Sequence, residues 1–146
     1  MRVVIAAVGK VKEKHVRKAV DDYTKRIGRY ARFEEHELRD GSDDEVAKRF
    51  DKVLGDRSFV VALEVDGKPL SSQGLAKQVA RCEGSGVQSM VFLIGGSYGL
   101  PSRISDAADL KLSLSAMTLP HRLARLVLAE QVYRAFTILR GEPYSH

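Results

Sequence analysis

The sequence predicts an α/β fold, a parallel sheet with helices on both faces, in a single domain spanning residues 1–146. Three observations carry this. Short runs rich in β-branched residues alternate with longer segments of helical periodicity, no repeat, low-complexity tract or Pro/Gly linker divides the chain, and 146 residues suffice for one ordinary core. Strands separated by helices imply crossover connections and a sheet covered on both sides. In such sheets ligands bind beyond the carboxyl ends of the strands.

The elements follow in order. "RVVIAAV" (residues 2–8) is almost wholly apolar and reads as a buried strand; residues 13 to about 30 read as a helix; "FEEHEL" (33–38) alternates with glutamates and reads as a more exposed strand. A second helix over 43–54 opens on Ser42-Asp43-Asp44-Glu45, a capping region. "SFVVALEV" (58–65) is a β-rich strand, and "DGKPL" after it is turn chemistry. Residues 71–83 form a helix, "SMVFLIG" the next strand, and "DLKLSLS" (109–115) a short alternating one. Pro120 opens a last helix that runs to about Leu139.

Composition narrows the function classes. The apolar run Val3 to Val8 is too short for a signal-peptide core or a membrane span, so a soluble cytoplasmic protein without a membrane partner is expected. The single cysteine, Cys82, has no Cys or His neighbours at ligand spacing, which leaves neither a disulfide framework nor a zinc site; it reads as a half-buried helical thiol, and no metal is expected. The net charge of +5 is uneven: residues 1–32 hold ten Lys or Arg against Glu13, Asp21 and Asp22, a local +7 that leaves −2 for the rest. A basic pole suits a polyanionic partner, and Lys10, Lys12, Lys14, Arg17, Lys18, Lys25, Arg26, Arg29 and Arg32 are interleaved with Tyr23, Tyr30 and Phe33 as phosphate contact and base stacking would use them. A solvated helix face explains the same charges equally well.

Three loops fall at strand carboxyl ends: "LEVDGK" after Leu63, "GGSYG" after Ile94 and "LSAMTLP" from Leu114. None carries a carboxylate pair, a Ser-His-Asp arrangement or a His/Cys cluster, so hydrolysis and metal chemistry lack their instruments. Backbone amides with Leu, Ala and Met suit a flat base and a thioether or sulfonium better than a triphosphate. "FLIGGSYGL" lacks both common nucleotide fingerprints, and its glycine pair reads equally as a tight turn or a ligand contact. The last helix is apolar around most of its circumference, which one sheet face cannot cover, so a homodimer is expected. On it Glu130 and Arg134 stand at i and i+4, the spacing of an ordinary ion pair.

"FLIGGSYGL", then "LSLSAMTLPHRLARLVLAEQVYRAFTIL", then "GEPYSH", with "VVALEVDGK" and "VVIAAVGKVKE" before them, resemble the ribosomal RNA large-subunit methyltransferase H family of the SPOUT class over essentially the whole chain. The resemblance implies a homodimer whose C-terminal half forms a trefoil knot around S-adenosylmethionine. It implies N3-methylation of a pseudouridine in 23S ribosomal RNA at the ribosomal subunit interface, with RNA in the assembled ribosome and not DNA as partner. Its cofactor contacts would fall on Leu63, Gly95, Gly96, Leu114, Ser115, Ala116, Met117, Thr118 and Leu119. Its RNA-side and catalytic residues would be Glu130, Arg134 and Tyr144, with His121 nearby. Relatives commonly carry a histidine directly after the tail tyrosine; here Ser145 stands there and His146 follows. Arg134 would hold a phosphate or the developing oxyanion of the base, and Tyr144 or His146 would orient the base or help accept its proton. A SPOUT enzyme acting on transfer RNA, and a non-catalytic ribosome- or RNA-binding protein, are the alternatives.

Overall fold

The computed structural model describes residues 1–144. Its strands are β1 (Arg2–Val8), β2 (Arg32–Leu38), β3 (Ser58–Pro69), β4 (Ser89–Ile94) and β5 (Leu110–Ser113). Its helices are α1 (Lys14–Ile27), α2 (Asp43–Val53), α3 (Ser72–Gly84), α4 (Ser102–Asp106) and α5 (His121–Leu139). The strands form one sheet in the order β2-β1-β4-β3-β5, with every pairing parallel. The expected α/β class therefore stands. β1 and β4 lie inside the sheet and are apolar nearly throughout, whereas β2 at an edge is only half-buried, which is why "FEEHEL" tolerates its glutamates.

Alternation along the two inner strands divides the core. Val3, Ile5 and Ala7 of β1 with Met90, Phe92 and Ile94 of β4 pack under α3 and α5, against Leu75, Val79, Leu128 and Phe136. Val4, Ala6 and Val8 with Val91 and Leu93 face α2 and α4, against Val46, Phe50 and Ile104. Helix α2 begins with the capping box expected from the sequence: Ser42 Oγ accepts from Glu45 N at 3.2 Å, and the Glu45 carboxylate accepts from Ser42 N at 3.0 Å. Cys82 is fully buried rather than half-buried, and burial pushes its thiol pKa up.

Three local expectations need correction. "DGKPL" does not end β3: Leu63 and Lys68 both stand opposite Leu112, so residues 64–67 bulge out and the strand resumes. Gly67 permits this, because a Cβ there would lie 2.8 Å from the main-chain carbonyl of Lys111. The five-residue α4 was not foreseen, since so short a helix shows no periodicity. Finally, the apolar girth of α5 is covered by the chain itself. Leu128, Val132, Ala135 and Phe136 are completely buried in the main core, and Leu126 packs on Val11, Val16 and Val20 beside α1. What α5 leaves outward is a narrower stripe of Leu123, Val127, Glu130, Arg134 and Ile138.

One charged side chain is buried with the core. Arg125 of α5 is 1% exposed, and its Nη2 bonds the carboxylates of Glu35 and Glu37 on β2. Its Nη1 donates to the Gly9 carbonyl at 3.3 Å, where β1 ends. Arg17 of α1 reaches the same carboxylates, at 2.8 Å from Glu35 and 3.2 Å from Glu37. Removing one member of a buried pair strands the other in a dry environment. Arg125→Ala is expected to lower unfolding free energy by about 3 kcal/mol, the low end for such losses because Arg17 remains. Urea denaturation of the variant with an unchanged midpoint would refute this.

Candidate active site

The bulge within β3, the loops after β4 and β5 and the first turn of α5 enclose a cavity of about 410 Å³, within the usual range for small-molecule sites. Of the nine residues expected to contact a cofactor, Leu63, Gly95, Gly96, Leu114, Ser115, Met117, Thr118 and Leu119 line it. Ala116 does not, although its neighbours on both sides do. Glu64 and Val65, which the bulge in β3 carries to the wall, belong to the quoted segment after Leu63 without being named as contacts, and Ala124 on α5 is missed. It noted His121 without giving it a role there. Glu64 and His121 are the titratable residues of the lining; the rest is main chain, aliphatic side chains and small hydroxyls.

Side-chain hydroxyls shape these loops. Ser115 Oγ accepts from Met117 N at 2.9 Å and folds the loop after β5 on itself. Ser113 Oγ donates to the Val65 carbonyl at 2.9 Å, and Ser105 Oγ to Glu64 Oε1 at 3.2 Å, so the bulge is tied to β5 and to α4.

The glycine loop has a different reason for its bareness than ligand contact alone. A Cβ on Gly95 would stand 2.3 Å from the carbonyl carbon of Gly99 and 2.5 Å from Leu100 N, so the loop needs glycine in order to lie on its own backbone. Gly99 N closes the turn onto the Gly96 carbonyl at 3.0 Å, and Gly96 itself packs on Val8. The turn is thus a structural requirement, and the cavity receives the main chain that the turn exposes.

His121 is the first residue of α5, four before Arg125. Its Nε2 lies 3.3 Å from Arg125 Nη1. Burial first, and then the Arg125 guanidinium, hold its pKa below the ordinary histidine value, with the Gly95 carbonyl and Glu37 opposing. The shift favours the neutral ring.

Glu130, Arg134 and Tyr144 form a second cluster that does not line the cavity. Arg134 Nη2 and Tyr144 Oη both donate to Glu130 Oε2 at 2.7 Å, and the guanidinium lies 5.0 Å from the Tyr144 ring centroid. Tyr144 also meets Tyr133 edge-on at 4.7 Å, and Tyr30 Oη donates to Glu142 at 2.6 Å, so the tail through Tyr144 is docked on its own chain. Burial, then the bond to Glu142, pushes the Tyr30 phenol up to about 12. Burial and the bonds to Tyr23 and Glu130 push Tyr144 up as well. Ala124 is at the cavity and Arg134 is ten residues further along α5, about 15 Å at 1.5 Å per residue, so one chain does not bring the two groups together. His146 lies outside the described residues.

The basic pole divides too. Arg17 is spent on Glu35, Glu37 and Asp21; Arg26 lies against the rings of Tyr23 and Tyr133; and Tyr23, Tyr30 and Phe33 pack on the core rather than standing free to stack on bases. Lys10, Lys12, Lys14, Lys18, Lys25, Arg29 and Arg32 are exposed. The segment bearing the first of these adjoins the cavity: Glu13 pairs with Arg122 at 3.5 Å, and Gly9 borders His121.

A family model described as "Predicted SPOUT methyltransferase" matches residues 1–146. The chain belongs to the SPOUT methyltransferase family. A Sorangium cellulosum (strain So ce56) protein named ribosomal RNA large subunit methyltransferase H is 51% identical over 146 residues, all of both chains. One of the same name from Streptococcus pneumoniae (strain CGSP14) is 41% identical over 157 residues, 99% of each. A solved structure of "a probable methylase family protein" from Haemophilus influenzae Rd KW20 superposes with a TM-score of 0.57 over 99% of this chain and 70% of that one. Its 12% sequence identity makes this a likeness of fold alone. The chain is therefore a SPOUT methyltransferase, and among its described residues no helix is long and apolar enough to cross a membrane.

Because the glycine turn of this SPOUT methyltransferase is needed by the loop itself, Gly95→Ala should lower the melting temperature without any ligand. A backbone clash of this kind should amount to at least about 5 °C. An unchanged thermal midpoint would show that the loop tolerates the methyl group.

Proposed function

We propose that this methyltransferase transfers a methyl group from S-adenosylmethionine to N3 of a pseudouridine in 23S ribosomal RNA, in the cytoplasm, on the assembled ribosome, as a knotted homodimer. The observation that carries the reading is the convergence of eight of the nine expected cofactor positions on one cavity. End-to-end likeness to proteins named ribosomal RNA large subunit methyltransferase H supports the choice of substrate.

The lining fits the cofactor. Main chain of the 95–96 and 114–119 segments offers hydrogen bonds to a purine edge and to ribose, and Leu63, Leu114 and Leu119 offer flat apolar contact to the ring. Glu64 is the one carboxylate in the wall and His121 is neutral, so nothing there repels a cationic sulfonium. When bound, S-adenosylmethionine supplies an already activated methyl group. The protein's tasks are then alignment, worth roughly 7–11 kcal/mol for a well-oriented pair, and stabilisation of the deprotonated imide. Arg134 serves the second task by its charge. Tyr144, hydrogen-bonded to Glu130, orients the base while the imide proton passes to the tail or to water.

Those groups must reach the cavity from a second copy. The described large hydrophobics left most exposed, Val65, Tyr98, Met117 and Leu123, lie on the cavity rim or in the segments that form it. Leu123 begins the outward stripe of α5. A two-fold axis crossing that stripe between Val127 and Gln131, with the helices antiparallel, sets Arg134 of one copy opposite Ala124 of the other. Each cavity would then take its cofactor from one chain, Arg134 and the tail from the partner, and the basic rim of Lys10 and Lys12 from its own chain.

The direct test is methyl transfer from labelled S-adenosylmethionine to ribosomes purified from cells lacking the protein, with the mark mapped on the RNA. Label on transfer RNA and none on ribosomal RNA would overturn the reading. Ala124→Phe should fill the cavity and abolish activity, and removal of residues 142–146 should abolish it while sparing cofactor binding. Mixing the two inactive proteins should restore one working site per mixed dimer; no recovery despite proven subunit exchange would place each tail in its own chain.

The interface has its own check. Val127→Asp puts a charge into the outward stripe without touching the chain's own core, and it should convert the dimer to monomer by light scattering. A wild-type mass near 16.2 kDa at micromolar concentration would end the dimer proposal.

A further inference from the structure

We infer that His121 is a positioning residue of the cavity: it is held as the neutral tautomer with its proton on Nδ1, and that N–H latches the glycine loop through the Gly95 carbonyl. The inference rests on the reading of the cavity as the S-adenosylmethionine site.

The tautomer follows from what surrounds the ring. A guanidinium only donates, so Nε2, 3.3 Å from Arg125 Nη1, must be the bare acceptor nitrogen. Arg125 has little freedom to turn away, because Glu35 and Glu37 hold its Nη2 and the Gly9 carbonyl shares its Nη1. A neutral imidazole so placed carries its proton on Nδ1. The charged groups that bear on the ring are Arg125 from α5 and Glu37 from β2, with the Gly95 carbonyl from the loop after β4.

Nδ1 is shut off from solvent and makes no hydrogen bond within the described chain. Gly95 and His121 line the same cavity, and the Gly95 carbonyl is the main-chain acceptor that favours a proton on the ring. A buried N–H without an acceptor is unfavourable, and here the acceptor belongs to a loop that lines the cavity. A small movement of Gly95 toward the ring completes the bond. A ligand that settles the glycine loop therefore gains the imidazole bond as well. Through Arg125 the same ring is anchored to β2, so the latch is set by the core.

Two measurements on the full-length protein test this. Nitrogen-15 spectra of histidine-labelled protein report the tautomer; of the four histidines, His121 is assigned by the signal lost in His121→Asn. A bare Nε2 and a protonated Nδ1 at pH 7 are expected, with the Nδ1 proton moving downfield when S-adenosylmethionine is added. An Nε2–H tautomer, or an imidazolium at pH 7, overturns the inference. Calorimetry then compares affinities for S-adenosylmethionine. His121→Asn, whose amide N–H can replace Nδ1–H, should stay within about threefold of wild type, while His121→Leu should lose about tenfold, the worth of one hydrogen bond. Wild-type affinity in a folded His121→Leu overturns the latch while leaving the cofactor site standing. A wild-type protein with the Nδ1–H tautomer and no affinity for S-adenosylmethionine would instead sink the cofactor reading, and the latch with it.

Discussion

Arg125 is the constraint on which the rest of this structure leans. A guanidinium 1% exposed would be prohibitive alone, and it is tolerable here because two carboxylates and a main-chain carbonyl meet its two terminal nitrogens, although Nε is buried without a hydrogen-bond partner among the described residues. Both carboxylates come from β2, the edge strand whose glutamates look in sequence like ordinary solvent-facing residues. The pairing docks the N-terminal half of α5 over the ends of β1 and β2, and Arg17 brings α1 into the same network. Since α5 begins at the cavity, the depth at which Arg125 is held also sets where His121 and Ala124 stand. Hydrophobic burial would hold α5 against the sheet in several rotations; the two-carboxylate fork selects one.

The fold was legible where local and global requirements agree. β1 and β4 are apolar on both faces because both faces are covered, and a chain that alternates such runs with amphipathic helices has few architectures open to it. Legibility failed where one residue type serves two purposes. Asp66 and Gly67 are turn formers, and they do turn the chain, but into a bulge that returns to β5. α5 is apolar on more sides than one sheet face covers, but α1 and α3 flank it, so that girth by itself does not call for a second copy. Periodicity reports that a face is buried; it does not report by what.

The site was legible to a similar depth. The loops after β4 and β5 follow from the rule that parallel sheets bind at their carboxyl ends, and together with the bulge inside β3 they enclose one cavity. Their residue roles came largely from the resemblance. Glu64 lies in the quoted segment after Leu63, but a turn there gives it no reason to face the cavity. The His121–Arg125 pair is visible as an i, i+4 spacing, yet nothing local tells a solvated Arg from one buried against two carboxylates of a distant strand. The bare glycines are ambiguous in a way only the folded chain resolves, since the first backbone to approach Gly95 is that of its own loop.

Charge is distributed along this molecule as the proposed reaction would require. The cavity wall holds one carboxylate and a neutral imidazole, and the nearby guanidinium of Arg125 is offset by Glu35 and Glu37, so a sulfonium meets no net positive field. Outside, Lys10, Lys12 and Lys14 stand exposed on the segment that borders His121, where a phosphate backbone would be drawn toward the cavity mouth. In the proposed reaction the positive charge that a deprotonated base needs is assigned to Arg134, which a single chain holds about 15 Å from the cavity and covers with Glu130 and Tyr144. A cation kept out of the cavity, paired on its own chain and aligned along an outward helical stripe is what the proposed site shared between two copies calls for. In such a site cofactor binding and base binding draw on opposite fields, and the two chains keep those fields apart.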